Sequence, residues 1–385
     1  MLVSAQALEH SQQVSLHLRR LIDNAGGWIS FSDWMHDVLY APGLGYYTAG
    51  SHKLSLRDEH QQTMPSGDFV TAPELSSAFG YTLARQISQV MREQGLNKIL
   101  EFGAGSGQLA CDILSALSEE GIDQVSYNII EISQDLRDRQ QQKLTALGHQ
   151  VTWKDRIPEN FEGIIIANEV LDAMPVHVLQ WSFDESPVVL ERGVIWKDGH
   201  FAWECREASP TLAFALANLM PPLAGYVTEI NLQAQAWTRS LAQNLRRGLI
   251  LLIDYGFPQS EYYHPQRCQG TLMCHIQHHA HDDPFFAPGL QDITAHVDFS
   301  SIAASAHAAG LQVLGYTSQA RFLLNAEIDR ILMQHAELQT PQSFQAIQKL
   351  LSEAEMGELF KVLALGKSLE DNLIGFARGD RRHQL

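Results

Sequence analysis

The stretch Leu100-Glu101-Phe102-Gly103-Ala104-Gly105-Ser106-Gly107-Gln108-Leu109 reads as the end of a strand, a glycine turn and the first turn of a helix. Glycines in such a turn let the backbone come close to a nucleotide-like ligand, and the helix that follows offers it free N–H groups. A dinucleotide-binding turn needs glycine at its first, third and sixth places. Here the sixth place is Gln108, so that pattern fails. Gly103, Gly105 and Gly107 instead form G-x-G-x-G, with an acidic residue, Glu101, two places upstream of the first glycine. An ordinary strand-to-helix turn accounts for the glycines taken alone, so the rest of the chain has to decide.

Outward from this stretch the chain alternates between strand and helix. Ile99 to Phe102 is a first strand, and Leu109, Ala110, Ile113, Leu114 and Leu117 then recur at helical spacing. Val125 to Ile130 is a second strand, followed by a helix carrying Leu136, Leu144 and Leu147, and Gln150 to Trp153 is a third. Gly163 to Ala167 is apolar enough for a strand buried on both faces, and Leu249 to Asp254 continues the series after a helix with Ala234, Trp237, Leu241 and Leu245. The alternation predicts an α/β fold built on a doubly wound parallel sheet with right-handed crossovers.

Three regions depart from that rhythm. Residues 1–95 read as a mainly helical N-terminal region with two loops, Tyr40 to Tyr47 and Ser66 to Glu74, and are expected to cover the ligand cleft. Residues 96–385 read as the ligand-binding domain, with an antiparallel β insertion at about 176–230 that turns at Lys197-Asp198-Gly199-His200. A helical insertion is expected at about 325–368, broken at Thr340-Pro341 and capped at Ser343, with a last strand over Asn372 to Ala377.

The 385-residue chain has a net charge of −17, which argues against a nucleic-acid groove, since phosphate binding needs clustered Lys and Arg. An acidic surface suits solubility and would also attract a basic protein. Its four cysteines show no C-x-x-C pair, so free thiols in a reducing compartment are expected. Met1 to Asp23 is too polar for a signal peptide, and Gly248 to Ile253, the longest apolar run, is too short to span a bilayer. The chain is expected to be cytoplasmic, and a homodimer is one state the sequence leaves open.

Glu131 ends the second strand about two dozen residues past the glycine turn, where a carboxylate can accept bonds from both ribose hydroxyls of a bound nucleoside. In Ile166-Ala167-Asn168-Glu169-Val170-Leu171-Asp172-Ala173-Met174-Pro175-Val176, polar side chains follow directly on a buried strand. Asn168 or Asp172 could simply cap the next helix. Glu169 and Asp172, two carboxylates three residues apart, could instead grip a planar cation. Asp254-Tyr255-Gly256 follows the fifth strand in the same way. His275, His278, His279 and His281, with Asp282 and Asp283, match no helical metal-ligand pair and are expected to form a polar loop over the cleft rather than a metal site. No G-x-S-x-G elbow supports nucleophilic hydrolysis.

Together these residues resemble a known family. The glycine turn followed by an acidic strand end is similar to S-adenosyl-L-methionine (SAM) methyltransferases of class I. More specifically, Gly43-x-Gly45-Tyr46-Tyr47, Gly67-Asp68-Phe69-x-Thr71-Ala72-Pro73-Glu74, Asn168-Glu169-x-x-Asp172-Ala173-x-Pro175-Val176, Asp254-Tyr255-Gly256 and Asp292-Ile293-Thr294-Ala295-His296-Val297-Asp298-Phe299 resemble the MidA family. The resemblance runs from about Ser30 to Gly310. It implies a Rossmann-like class I methyltransferase fold and SAM as cofactor. Glu101, Gly103, Gly105, Gly107, Glu131, Asn168 and Glu74 would then hold the cofactor, and Trp153, beside Asp155, would lie where such enzymes contact adenine. The mitochondrial branch of that family is a complex I assembly factor associated with symmetric dimethylation of a protein arginine. By that resemblance the substrate is a protein arginine, oriented by Glu169 and Asp172. Methylation of a small molecule or of a non-arginine protein site, and non-catalytic SAM binding by an assembly factor, are the competing readings.

Overall fold

Ile164, Ile165 and Ile166 are 0% exposed, and Leu249 to Leu252 match them, as strands covered on both faces require. They belong to an eight-stranded sheet in the computed structural model, which describes residues 5–50, 71–277, 279–370 and 372–385. Seven of its strands are β1 (Lys98–Phe102), β2 (Ser126–Ile130), β3 (Val151–Lys154), β4 (Phe161–Asn168), β5 (Leu245–Phe257), β6 (Gln312–Ser318) and β7 (Phe360–Lys367), in spatial order β3-β2-β1-β4-β5-β7-β6, and the eighth, Val297–Asp298, pairs parallel with the end of β5. β1 to β5 run parallel, whereas β7 is antiparallel to both β5 and β6. The strand order reverses between β1 and β4. At such a switch point the loops after two neighbouring strands diverge and open a crevice.

The sheet forms one of two compact units, Val70–Leu171, Gln235–Pro258 and Val297–Leu385. Helices Gln108–Glu119 and Gln134–Ala146 follow β1 and β2, and Ser77–Gln94 packs on the first of these. The other unit joins the described part of Met1–Phe69 to Asp172–Ala234 and Gln259–His296. Its sheet combines Ile29–Ser30 with His177–Trp181, Val189–Lys197, His200–Glu207 and Val227–Ile230, all antiparallel, over a core that includes Trp34, Met35, Val178 and Val194. This division differs from the boundary drawn at residue 95, because the contacts gather three separate chain segments into each unit.

The structure corrects several local readings. Residues 360–367 are not helical: Phe360-Lys361-Val362-Leu363-Ala364-Leu365 forms most of β7, buried along its length. A continuous apolar run has no period with which to tell strand from helix. Asn372 to Ala377 holds a 3₁₀ turn at Ile374–Phe376 rather than a strand. Thr340, not Ser343, caps helix Pro341–Leu351, and its hydroxyl accepts the Ser343 N–H at 3.1 Å. The histidine segment is no loop either. Met273–Ile276 and His279–His281 pair as a hairpin, with Asp292–Thr294 on the other side, and Cys274 and Ile276 point into the core. His278 and the Gly67-Asp68-Phe69 part of the N-terminal motif lie outside the described residues.

Candidate functional site

The carboxyl ends of β1 and β4 carry the two polar turns. After β1, the backbone adopts φ of +61° at Gly103 and +54° at Gly105, a region that side-chain-bearing residues rarely enter. Gly103 N–H donates to the carbonyl of Ile130 at 3.0 Å, tying the turn to the end of β2. Gly107 starts helix Gln108–Glu119. A Cβ on Gly103 would stand 3.2 Å from Val170 Cγ2, so the turn after β1 abuts the turn after β4.

Glu131 leaves β2 with its carboxylate buried. Oε1 accepts the Ser133 N–H at 3.0 Å and Oε2 accepts from Gln140 Nε2 at 3.1 Å. Burial raises its pKa, while those hydrogen bonds oppose the rise. The same Gln140 nitrogen donates to the Gly105 carbonyl at 2.9 Å, and Gln140 Oε1 accepts the Trp153 indole N–H at 2.8 Å. Glycine turn, Glu131 and Trp153 are thus joined through one side chain that the sequence reading passed over. A signal was present: Leu136, Gln140 and Leu144 are spaced by four, so Gln140 stands on the apolar face of its helix.

Glu101 has an internal partner. Its Oε2 accepts the Tyr127 hydroxyl at 2.8 Å, and burial pushes its pKa up to about 7. It buttresses β1 from within. Glu74, in the short helix Ala72–Leu75, accepts the hydroxyl of Ser106, so it reaches the glycine turn. Lys143 Nζ approaches the same hydroxyl at 3.4 Å. Asp155, beyond β3, is exposed and pairs with Arg137 at 2.9 Å.

After β4, Glu169 takes φ of +53° although it is not glycine. Three bonds hold it there. Its N–H donates to the Ile253 carbonyl at 2.9 Å, Asn168 Nδ2 donates to its Oε1 at 3.1 Å, and the next turn is fixed by Asp254, whose Oδ2 accepts the Leu171 N–H at 3.0 Å. Asp254 Oδ1 accepts the Tyr255 N–H at 2.9 Å, so a fully buried carboxylate clamps the ends of both β4 and β5. Asn168 Oδ1 is buried with no hydrogen-bond partner among the described residues. A bound group that donates a hydrogen bond would satisfy it.

Asp172 opens the other unit, buried, with its carbonyl accepting the Ala295 N–H at 2.9 Å. Nearby, Tyr40 donates to the Ala173 carbonyl at 2.8 Å and stacks on Tyr47 at 5.5 Å. The Tyr47 hydroxyl donates to Asp292 at 2.8 Å, and its pKa is raised well above the usual value by burial and then by Asp292, Tyr40 and Asp172. Among the described residues no three His, Cys, Asp or Glu side chains converge as metal ligands, and no helix is long and apolar enough to cross a membrane.

The left-handed glycine turn, the buried carboxylate at the end of β2 and the orphaned Asn168 oxygen fit a ligand with ribose hydroxyls and polar donors. A family described as S-adenosyl-L-methionine-dependent methyltransferases matches residues 82–317. A superfamily member from Burkholderia thailandensis, solved bound to S-adenosyl-homocysteine, is 45% identical over all of both chains, with a TM-score of 0.91. The mouse mitochondrial protein arginine methyltransferase NDUFAF7 is 29% identical, covering 92% of this chain and 85% of its own. The homologue in Drosophila melanogaster is 28% identical, covering 88% and 82%. The β3-β2-β1-β4-β5-β7-β6 sheet, its antiparallel β7 and the matched sequence place this chain in that family of SAM-dependent methyltransferases.

Proposed function

We propose that this methyltransferase modifies an arginine side chain of a protein, with Glu169 and Asp172 orienting the guanidinium. The observation that carries this reading is Glu169 itself, held with positive φ at the end of β4 beside the glycine turn. Such strain costs about 1–2 kcal/mol at a residue with a side chain. It persists here because three hydrogen bonds fix the turn, which suggests that the carboxylate is needed at that place. The names of the mouse and Drosophila melanogaster relatives, both protein arginine methyltransferases, support the substrate class.

SAM, when bound, supplies a methyl group on a cationic sulfonium. Gly103, Gly105 and Gly107 offer it their backbone, Glu131 its ribose acceptors, Asn168 an unmatched oxygen and Trp153 an aromatic edge, while Glu74 secures Ser106 on the turn and Glu101 supports it from inside. Arginine stays protonated in water, its pKa being above roughly 12. A carboxylate at Glu169 aligns the guanidinium, draws its charge toward one side and offsets repulsion by the sulfonium. Asp172, three residues on in the chain, adds a second acceptor. All four cysteines are free, which supports a reducing, cytoplasmic setting for this chain.

The test is transfer of label from methyl-labelled SAM to a cell extract depleted of this protein, followed by acid hydrolysis of the labelled product. Methylarginine in a protein band is the expected outcome. Label in a small molecule, or in any other amino acid, defeats the arginine reading.

A further inference from the structure

We propose that Gln140 is the positioning residue that gives this enzyme its selectivity for a ribose-bearing cofactor. The inference rests on the reading of Glu131 as the ribose acceptor. Gln140 is 0% exposed and its amide is committed on both sides. Nε2 donates to the Gly105 carbonyl at 2.9 Å and to Glu131 Oε2 at 3.1 Å, while Oε1 accepts the Trp153 indole N–H at 2.8 Å. Only one orientation of the amide satisfies this set. Turned over, its oxygen would face a carbonyl and a carboxylate, and its N–H₂ would face the indole donor.

The consequences fall on Glu131. A carboxylate has two oxygens and several lone pairs, and one buried without fixed partners swings or takes a proton. Ser133 holds Oε1 through a backbone N–H, and Gln140 holds Oε2. With both oxygens held from the protein side, the remaining lone pairs are aimed rather than free to wander. Gln140 also packs beneath the glycine turn: a Cβ on Gly107 would meet its Cγ at 3.4 Å. One side chain therefore sets the distance between the turn and the ribose acceptor. Because its oxygen accepts from Trp153, the indole takes part in that setting through Gln140.

The experiment is calorimetric titration of S-adenosyl-homocysteine and of its 2′-deoxyribose analogue into the full chain, wild type, Gln140→Met and Trp153→Phe. Methionine keeps the length and buried volume of glutamine and removes all three bonds. Wild type is expected to prefer the ribose form by at least about tenfold, the scale of one hydrogen bond to a charged group. In Gln140→Met that preference collapses to about twofold or less, chiefly through weaker binding of S-adenosyl-homocysteine. In Trp153→Phe, at a half-buried site, the preference falls about threefold. A general loosening of the fold would weaken both ligands alike and leave their ratio untouched. An unchanged ratio in folded Gln140→Met overturns the proposal, and so does an unchanged ratio in Trp153→Phe should the first variant not fold. A wild type that binds both ligands equally defeats the ribose reading of Glu131 and this inference with it. A wild type that binds neither defeats the cofactor reading of the whole turn.

Discussion

The turns after β1 and β4 leave neighbouring parallel strands and touch through Gly103 and Val170, yet they bend the chain by opposite means. The first puts glycine wherever φ is positive, so nothing is strained and what it presents is backbone. The second puts Glu169 at φ of +53° and holds it there with the Ile253 carbonyl, Asn168 and the buried Asp254. The difference teaches what each turn presents, backbone at the first and a side chain at the second. A cofactor can be cradled by N–H groups, which every residue has. On the proposed reading, a cationic acceptor is met by a particular side chain, and the local strain keeps that side chain in place.

The contrast is broken most directly at Glu169. Glu169→Gln is expected to lower kcat for methyl transfer by about 10²–10³, the usual scale for losing one electrostatic contact to the reacting centre, with the Kd for SAM changed less than about threefold. Steady-state kinetics beside calorimetry check this, and a kcat within about threefold of wild type removes Glu169 from the chemistry. Asp254→Ala comes next. It strips two buried N–H groups of their acceptor, so a loss of about 2–4 kcal/mol in urea unfolding is expected, together with slower transfer.

Alanine scanning of the first turn sharpens the comparison. Gly105→Ala meets open space and should cost about 1–2 kcal/mol from backbone strain alone. Gly103→Ala carries the same strain plus the contact with Val170, so it should cost more. Equal losses would mean that the two turns are not packed against each other. The converse substitution, Glu169→Gly, should raise stability by about 1 kcal/mol or less while abolishing transfer, and a destabilised variant would show that the turn is not strained.

A separate expected effect is on pH. Glu101 titrates near its ordinary 4.5 when unfolded and at about 7 when buried beneath β1. The folded chain thus holds that proton more tightly, so its contribution is fully present below about pH 4.5 and lost as pH rises through about 7. The Tm should fall by a few degrees between pH 5 and 8 from this group, and Glu101→Gln should flatten the slope. A slope unchanged in the variant assigns it elsewhere.

Much of this was legible in the sequence because β1 to β5 announce themselves. β1, β2 and β4 are short runs with an apolar core that stop at a glycine or a polar residue, β5 has the apolar centre Leu249 to Ile253, and the apolar face of helix Gln108–Glu119 is plain. β7 was not legible, since Leu363-Ala364-Leu365 suits a helix as well as a strand and its pairing with β5 and β6 decides. Residue type and position after a strand pointed to Glu131, Asn168 and Glu169, and the structure places all three at the ends of β2 and β4. Gln140 was missed because a glutamine on a polar helix gives no compositional cue, although its spacing from Leu136 and Leu144 gives a geometric one. The internal bond between Glu101 and Tyr127 was also out of reach, because Glu101 pairs across the sheet with Ile129 and meets Tyr127 only through its side chain.

The antiparallel strand β7 has a consequence for how the chain is made. It pairs along β5 from Gly248 with Lys367 to Tyr255 with Phe360, so every rung joins residues more than a hundred positions apart. Until β7 has left the ribosome, the edge of β5 that it covers lacks that partner, while β1 to β4 are already available to pair. Contacts of such long sequence separation form slowly and leave sticky edges waiting. Translation, rather than the finished fold, is therefore the stage at which this enzyme is most exposed to aggregation, and shielding of the β5 edge by a chaperone would matter most during synthesis of the last third of the chain.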